Sequence, residues 1–178
     1  AEWNAELIAQ SQIISLPGCY PTATQLALKP LTENKLLEKG VKPIINAVSG
    51  VSGAGRKANL ATSYFELSLK PYGVFSHRHL PEVEEHLGAE VVFTPHIGAF
   101  HSGILATINV QLAEGVTTQD VTQSFYAAYK DQPFVRLKQQ WPQINDVVNT
   151  PFCDICFEKD QSSQQMIVVA AIDNLYKG

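Results

Sequence analysis

Apolar and polar positions along the chain follow a helical spacing in several places. Residues 22–38 carry leucines that approximate one helical stripe, with Gly40 suited to the position just after the helix and Pro30 expected to kink its middle. Residues 117–130 form a second such stretch, and the Thr-Thr-Gln-Asp sequence at its beginning is typical of a helix start. A short helix is predicted at 81–87, because proline and acidic residues occupy its first turn.

Strand patterns alternate with these helices. Short apolar segments predict strands at 42–48, 90–94, 103–112, 134–137, 153–158 and 166–172, with a further apolar strand containing Ile13, Ile14 and Leu16 before the first helix. The Ser- and Gln-rich residues 160–165 are predicted to form a hairpin loop. Mixed strands and helices without a repeat or linker indicate one α+β domain over 1–178, built on one large sheet.

Composition narrows the class of protein. Of the 178 residues, 45% are apolar and 17% are charged, and the formal net charge is −4. This charge, without a Lys/Arg cluster, argues against nucleic-acid binding, and no apolar run has the length of a membrane span. The opening residues show no signal-peptide pattern, and three unevenly spaced cysteines do not make a disulfide framework. We therefore expect a cytoplasmic protein that binds neither nucleic acid nor a membrane.

The segment around Cys19 carries the sharpest chemical signal. The run is Pro17-Gly18-Cys19-Tyr20-Pro21-Thr22, in which Pro21 is placed to open a helix. A thiol at a helix N-terminus meets unpaired amides and the helix dipole, which lower its pKa and favour the thiolate. The same amides can stabilise an oxyanion on a substrate carbonyl. The pattern predicts a cysteine nucleophile; the alternative is an inert, buried cysteine at a turn.

A His-Arg-His triplet supplies a partner for such a thiol. His77 and His79 are suited to moving protons near neutral pH, and Glu82, three residues after His79, is placed to orient its imidazole. We expect the loop to be extended, so that the two rings point to opposite sides and only one faces Cys19. A solvated loop is the alternative.

A glycine-rich loop, Ser-Gly-Val-Ser-Gly-Ala-Gly-Arg at 49–56, follows the strand predicted at 42–48. Its amides and hydroxyls are suited to a phosphate or carboxylate, although the spacing is neither that of a P-loop nor the dinucleotide pattern. The alternative is a bare turn. The CxxC spacing of Cys153 and Cys156 lies in an apolar strand and is predicted to be structural, and no metal site is predicted there or at His96 and His101.

Together these segments closely resemble the N-acetyl-gamma-glutamyl-phosphate reductase family of arginine biosynthesis. The matching stretches, in the family's order from residue 17 to 178, are the Gly-Cys-Tyr-Pro-Thr-Ala run at 18–23, the loop at 49–56, His-Arg-His at 77–79 with Pro-Glu at 81–82, Phe-Thr-Pro-His at 93–96, Gly-Ile-Leu at 103–105, and Asp-Asn-Leu with Lys-Gly at 173–178. The first two are specific to this family. One departure stands out, because the family usually has arginine where this chain has Ser102. The contact of that guanidinium, to the substrate or across the subunit interface, is then either missing or supplied by Arg56, Arg78 or His101.

The resemblance implies a two-domain enzyme with an NADP-binding Rossmann domain and a catalytic and dimerisation domain. The second domain is similar to the C-terminal domain of glyceraldehyde-3-phosphate dehydrogenase, with a mixed, largely antiparallel sheet and helices on one face. We expect this chain to be that domain alone, without the Rossmann domain and without a C-terminal helix. The implied assembly is a homodimer or homotetramer, and the implied activity is NADPH-dependent reduction of N-acetyl-glutamyl 5-phosphate to the semialdehyde through a cysteine thioester.

The resemblance also implies roles for individual residues. Cys19 is the expected nucleophile, with His79 as acid and base, Glu82 orienting it, and His77 the second choice for the acid–base role. The expected substrate-binding residues are Ser49, Gly50, Ser52, Gly53, His77 and Arg78, with Arg78 anchoring a carboxylate. The expected cofactor-binding residues are Gly53, Ala54, Lys177 and Gly178.

Two alternatives for the function remain at this point. The first is a related reductase of lysine biosynthesis that acts on an aminoadipate derivative attached to a carrier protein, although no basic cluster suited to an acidic carrier is present. The second is a non-catalytic assembly module. A chain without a nucleotide domain is expected to show no turnover alone.

Overall fold

Seven strands form one mixed sheet in the computed structural model, which describes residues 2–55 and 67–178. The strands are β1 Ile44–Ser49, β2 Lys70–Pro71, β3 Val92–Ile97, β4 Ile104–Gln111, β5 Val135–Leu137, β6 Cys153–Lys159 and β7 Gln165–Ile172. Their order across the sheet is β2-β3-β1-β4-β7-β6-β5. β1 pairs with β3, and β5 with β6, in parallel; the other neighbours are antiparallel. The predicted α+β fold with a largely antiparallel sheet is confirmed.

The described residues form four α-helices, and the longest of them packs on one face of this sheet. They are α1 Ala5–Gln10, α2 Cys19–Glu33, α3 Leu80–Leu87 and α4 Thr118–Tyr129. Helix α2 lies across β4 and β7, and α3 and α4 pack against α2. Every second residue of β4, from Ile104 to Val110, is buried beneath them. The helix start predicted for α4 is confirmed, and it is a capping box, since the Thr117 side chain and Asp120 satisfy each other's backbone N–H groups.

Helix α2 differs from its predicted bounds of 22–38. It begins at Cys19, so that Pro21 lies in its first turn. Proline is accepted there because the N–H groups of the first turn have no partner inside the helix, and proline lacks only that N–H. It ends at Glu33, and Lys35 then adopts a left-handed backbone with φ 55°. Leu37 instead forms a bridge with Leu112 beside β4.

The apolar strand predicted before α2 is not formed. Ile13 is 91% exposed and Leu16 is 82% exposed, and neither has a strand partner among the residues that the structure describes. The prediction was wrong because a strand needs a neighbouring strand to pair with its backbone N–H and C=O groups, and none of the described strands lies beside this segment.

The parallel pairing of β1 with β3 positions the site. It brings Ser49 opposite Ile97 at the carboxyl ends of the two strands. The short edge strand β2 joins β3 at this end, with Lys70 opposite Ile97, and α3 follows it in the chain. The glycine-rich loop, the His-Arg-His triplet and the start of α2 therefore meet at one end of the sheet.

The strand that holds the CxxC spacing is buried. Cys153 is fully buried and Cys156 is 6% exposed, and burial raises the pKa of both thiols. Between them, Asp154 is fully buried and accepts two hydrogen bonds from the Arg136 guanidinium, at 2.5 and 2.9 Å. No helix in residues 2–55 or 67–178 has the length and apolar character needed to cross a bilayer.

Candidate active site

Cys19 is the first residue of helix α2, after an extended Gly18 at φ −66° and ψ 157°. Its thiol is free and half-buried. Burial raises the pKa of this thiol above its ordinary value, although the backbone N–H groups of Tyr20 and of Cys19 itself, and the charge of Arg78, act in the opposite direction. The expected lowering of the pKa was therefore wrong, because desolvation outweighs the helix N-terminus here.

Glu82 lies beside Gly18 and Cys19 but does not orient His79. Its carboxylate accepts a hydrogen bond from the Gly18 N–H at 3.0 Å. The Nδ1 atom of His79 is buried and has no hydrogen-bond partner among the described residues. The expected Glu82–His79 hydrogen bond is thus absent, because the Glu82 carboxylate binds the Gly18 backbone N–H instead.

The two histidines lie together, not on opposite sides of a loop. Their ring centroids are 4.9 Å apart, and Nδ1 of His77 accepts a hydrogen bond from the His79 N–H at 3.1 Å. His79 has helical dihedral angles, φ −86° and ψ −11°, because it caps helix α3. The predicted extended loop was wrong, since the Leu80 N–H donates to the His77 carbonyl and folds the segment back.

The His79 ring packs directly on Gly18, the residue before Cys19. A Cβ atom on Gly18 would lie 2.6 Å from Nε2 of His79, so only glycine allows this approach without a shift. Burial and the neighbouring Arg78 charge lower the pKa of His79, and Glu82 opposes them. The lowered pKa leaves the His79 imidazole uncharged at neutral pH, one residue away from Cys19 at its contact with Gly18.

His77 sits among aromatic rings and is poorly placed to carry charge. Its centroid lies 5.4 Å from Tyr20, 5.3 Å from Tyr72 and 5.5 Å from Phe93. Burial lowers the pKa of His77 to about 4, and the charges of His79 and Arg78 add to this. Because Nδ1 accepts a hydrogen bond, the proton of the neutral ring is on Nε2, which makes His77 a hydrogen-bond donor to a ligand.

Two tyrosines connect the start of α2 to the sheet, and neither was predicted as a site residue. The Tyr72 hydroxyl donates to the Tyr20 hydroxyl at 3.2 Å, and Tyr20 donates to the His96 carbonyl at 2.9 Å. Burial raises the pKa of both phenols, so both remain protonated donors. Tyr20 follows Cys19 directly, and its buried ring anchors the first turn of α2.

The glycine-rich loop is a 3-10 turn, Val51–Ala54, held against the turn before β4. The N–H groups of Gly50, Val51 and Ser52 donate to carbonyls of that turn at 2.9 to 3.0 Å. A Cβ atom on Gly50 would lie 2.7 Å from the His101 carbonyl oxygen, so glycine is required there. The Ser52 hydroxyl accepts a hydrogen bond from Asn174 at 3.0 Å. Arg56, at the end of the motif, lies outside the described residues.

A cleft of about 500 Å³ opens beside this loop. Of the predicted substrate and cofactor residues, it is lined by Ser49, Gly50, Gly53, Ala54, His77 and Arg78. Lys70, Tyr72 and Ser76 also line it and were not predicted, because a two-residue edge strand has no sequence pattern. Ser52 is not among the lining residues, and the buried Ser102, which stands where arginine was expected, is not either.

The two C-terminal residues occupy different places. The Lys177 ammonium pairs with the Glu2 carboxylate, and both side chains are only 10% exposed. Gly178 packs on Cys19, and a side chain at this position would overlap the Cys19 Cβ atom. Lys177 is thus paired with Glu2 and is not among the residues that line the cleft, whereas Gly178 lies against Cys19.

The fold and this arrangement define the class of protein. Residues 19–174 match the family of semialdehyde dehydrogenase dimerisation domains, and the chain belongs to that family. Two solved structures share its fold: a probable aspartate-semialdehyde dehydrogenase from Pseudomonas aeruginosa, with a TM-score of 0.71 and 18% identity over 97% of this chain and 61% of that one, and aspartate semialdehyde dehydrogenase II from Vibrio cholerae, with a TM-score of 0.70 and 16% identity over 98% and 62%.

Sequence relatives place the chain within this class. It is 58% identical to N-acetyl-gamma-glutamyl-phosphate reductase from Moritella profunda, 57% identical to that of Aeromonas salmonicida and 56% identical to that of Aliivibrio fischeri. Each match covers 100% of this chain and 52% or 53% of the relative, so the chain spans about half the length of these reductases. The resemblance drawn from the motifs is confirmed, and it is favoured over the reductase of lysine biosynthesis.

Proposed function

We propose that this chain is the catalytic and assembly half of an NADPH-dependent reductase of arginine biosynthesis that converts N-acetyl-glutamyl 5-phosphate to N-acetyl-glutamate 5-semialdehyde. One observation carries the proposal. A free thiol opens helix α2 one residue after Gly18, on which the His79 imidazole packs, and the neighbouring Arg78 lines a cleft together with Lys70. The three free thiols agree with a reducing compartment, and we propose that the protein acts in the cytoplasm.

The first chemical step uses His79 as the base. Because burial raises the pKa of Cys19, the thiol needs a proton acceptor, and neutral His79 lies on the adjacent Gly18. The thiolate attacks the acyl carbon, so that a C–S bond forms and the bond from that carbon to the phosphate oxygen breaks. His79 then passes its proton to the departing phosphate. The N–H groups at the start of α2 stabilise the negative charge that develops.

The remaining residues bind and orient the substrate. His77 donates from Nε2 and stays neutral, which suits a hydrogen bond to a substrate oxygen but not proton transfer. Ser49 lines the cleft and offers a further polar side chain, whereas the N–H groups of Gly50 and Gly53 already donate to backbone carbonyls. Arg78 holds an anionic group of the substrate. Glu82 positions Cys19 by binding the Gly18 N–H.

Of the residues expected to bind the cofactor, we assign Gly53, Ala54 and Gly178 to NADPH. When bound, NADPH supplies the hydride that reduces the acyl group. Gly53 and Ala54 line the cleft with little side chain, which leaves room for a flat ring, and Gly178 lies against Cys19. Lys177 is already paired with Glu2, and we do not assign it to the cofactor. The rest of the dinucleotide is proposed to bind a separate Rossmann domain.

Assembly is proposed through the sheet face opposite the helices. On β4, Leu105, Thr107 and Asn109 point away from α2 and are half-buried. They pair in register with Ala171, Val169 and Ile167 of β7. This mixed apolar face suits a second copy of the chain, in a homodimer or homotetramer.

The test uses a full-length reductase that contains this sequence. Cys19→Ser should abolish turnover, and His79→Ala should reduce kcat about 10²–10⁴-fold, the usual scale for a lost acid–base group. His77→Ala should mainly raise KM, as loss of a binding contact does. His86→Ala, on the exposed side of α3, is the matched control. Normal turnover after Cys19→Ser would contradict the proposal, and turnover by the 178-residue chain alone with NADPH would contradict the division into halves.

A further inference from the structure

The cleft carries a local charge opposite to that of the chain. The formal net charge of the chain is −4. Within the described residues, the charged side chains that line the cleft are Lys70 and Arg78, and no acidic side chain joins them. Neither cation forms an ion pair in residues 2–55 or 67–178. Two cations in one cleft that pair with no carboxylate among the described residues favour a ligand with two anionic groups.

The two cations belong to different segments of the cleft wall. Arg78 lies between the two histidines in the chain, and His79 packs on Gly18, the residue before Cys19. The Arg78 charge also acts on Cys19. Lys70 belongs to the edge strand β2 and is held opposite Ile97, at the margin of the sheet. Just after this strand, the Tyr72 N–H donates a hydrogen bond to the Pro95 carbonyl at 3.0 Å and holds β2 against β3.

The proposed substrate carries two anionic groups. Its phosphoryl group is on the carbon that Cys19 attacks, and its α-carboxylate lies at the far end of the carbon chain, about 5 Å away when extended. We propose that Lys70 is a specificity-determining residue that binds the α-carboxylate, while Arg78 binds the phosphoryl group. This rests on the proposed function. From the sequence, we expected the Arg78 guanidinium to bind the carboxylate. Here it is assigned to the phosphoryl group instead.

The experiment removes the charge from each partner in turn. A full-length reductase containing this sequence is assayed in the direction of semialdehyde oxidation, with N-acetyl-glutamate 5-semialdehyde and with the analogue in which the α-carboxylate is an α-amide. Lys70→Met should raise KM for the carboxylate substrate about tenfold and leave kcat within about threefold, since a hydrogen bond to a charged group is worth about 1.5 kcal/mol. The KM for the amide should not change. Lys70→Arg should restore most of the loss.

The controls separate this proposal from the proposed function. Lys130→Met removes an exposed lysine at the end of α4 and should leave both KM values unchanged. If Lys70→Met weakens both substrates equally, or neither, Lys70 does not bind the carboxylate. If it instead raises KM for inorganic phosphate as cosubstrate, the two anions are exchanged, and the assignment is overturned. If the wild-type enzyme does not oxidise the semialdehyde, the proposed function itself fails.

Discussion

The Glu82 carboxylate accepts a hydrogen bond from the Gly18 backbone N–H at 3.0 Å, one residue before the cysteine that opens helix α2. This contact has two opposing effects on the nucleophile. It satisfies an N–H group beside the helix N-terminus and fixes the peptide that carries Cys19. Its negative charge also adds to the burial that raises the pKa of Cys19.

Glu82→Gln should separate these effects. Glutamine keeps an oxygen acceptor for Gly18 but removes the charge, so the pKa of Cys19 should fall, with burial still holding it above the ordinary value. Peptide-resolved alkylation rates measured against pH report this pKa. Glu82→Ala should instead cost about 1–2 kcal/mol of unfolding free energy, because the N–H loses its acceptor. An unchanged alkylation profile in Glu82→Gln would show that the charge does not act on Cys19.

Stability should fall in mild acid because of His77. Burial lowers the pKa of His77 to about 4, whereas the unfolded chain has the ordinary value of about 6.5. Between these values the unfolded state binds a proton that the folded state does not, so stability is complete above about pH 6.5 and is lost as the pH falls to about 4. Since the ring is partly exposed, we expect a loss of about 1 kcal/mol after solvent screening.

Urea unfolding at pH 7 and pH 4.5 measures this loss. His77→Gln carries no titrating group at the position and should lose less stability than the wild type over the same window. His86→Gln, on the exposed side of α3, is the control and should behave as the wild type does. Equal losses in all three proteins would assign the acid sensitivity to other groups.

Local sequence signals predicted the parts of this molecule that local contacts determine. The capping box of α4 joins Thr117 and Asp120, three residues apart, and the Pro21 that opens α2 follows Cys19 by two. Both were readable because helix ends are satisfied by nearby residues. The largely antiparallel sheet was also predicted, although it came from the resemblance to a family and not from strand patterns alone.

Contacts between distant segments were not predictable in this way. Glu82 was assigned to His79, three residues before it, but it binds Gly18, 64 residues away. The histidine rings meet because of a backbone-to-ring hydrogen bond that no spacing indicates. Burial of Cys19 depends on the packing of the whole site, and it reversed the expected direction of the pKa. The lining residues Lys70 and Tyr72 depend on an edge strand of two residues.

Assembly should depend on the outer face of the sheet. Thr107 lies near its centre, paired with Asn46 of β1 and Val169 of β7. Thr107→Glu places a charge there without touching the helix-covered core, so it should shift a dimer towards monomers in sedimentation velocity at micromolar concentration. Thr122→Glu, on the exposed side of α4, adds the same charge elsewhere and should leave the assembly unchanged. A wild-type chain that sediments as a monomer would contradict the proposed interface.

Asn174 should hold the cleft loop in place. It is 6% exposed, and its side-chain oxygen accepts from the Gly103 N–H at 2.6 Å while its amide donates to the Ser52 hydroxyl at 3.0 Å. Asn174→Ala leaves the buried Gly103 N–H without an acceptor and should cost about 2–3 kcal/mol of unfolding free energy. Ser52→Ala removes only one partner of the second bond and should cost about 1 kcal/mol.

The double variant tests whether these two side chains act together. If the Asn174–Ser52 hydrogen bond contributes to stability, the Asn174→Ala and Ser52→Ala losses should overlap, and the double variant should lose about 0.5–1 kcal/mol less than their sum. Urea unfolding of the four proteins completes the cycle. Ser68→Ala, at an exposed serine, is the matched control and should change stability by less than about 0.5 kcal/mol. Strictly additive losses would mean that Asn174 supports the Gly103 backbone alone and that the loop is held only by its three backbone hydrogen bonds to the turn before β4.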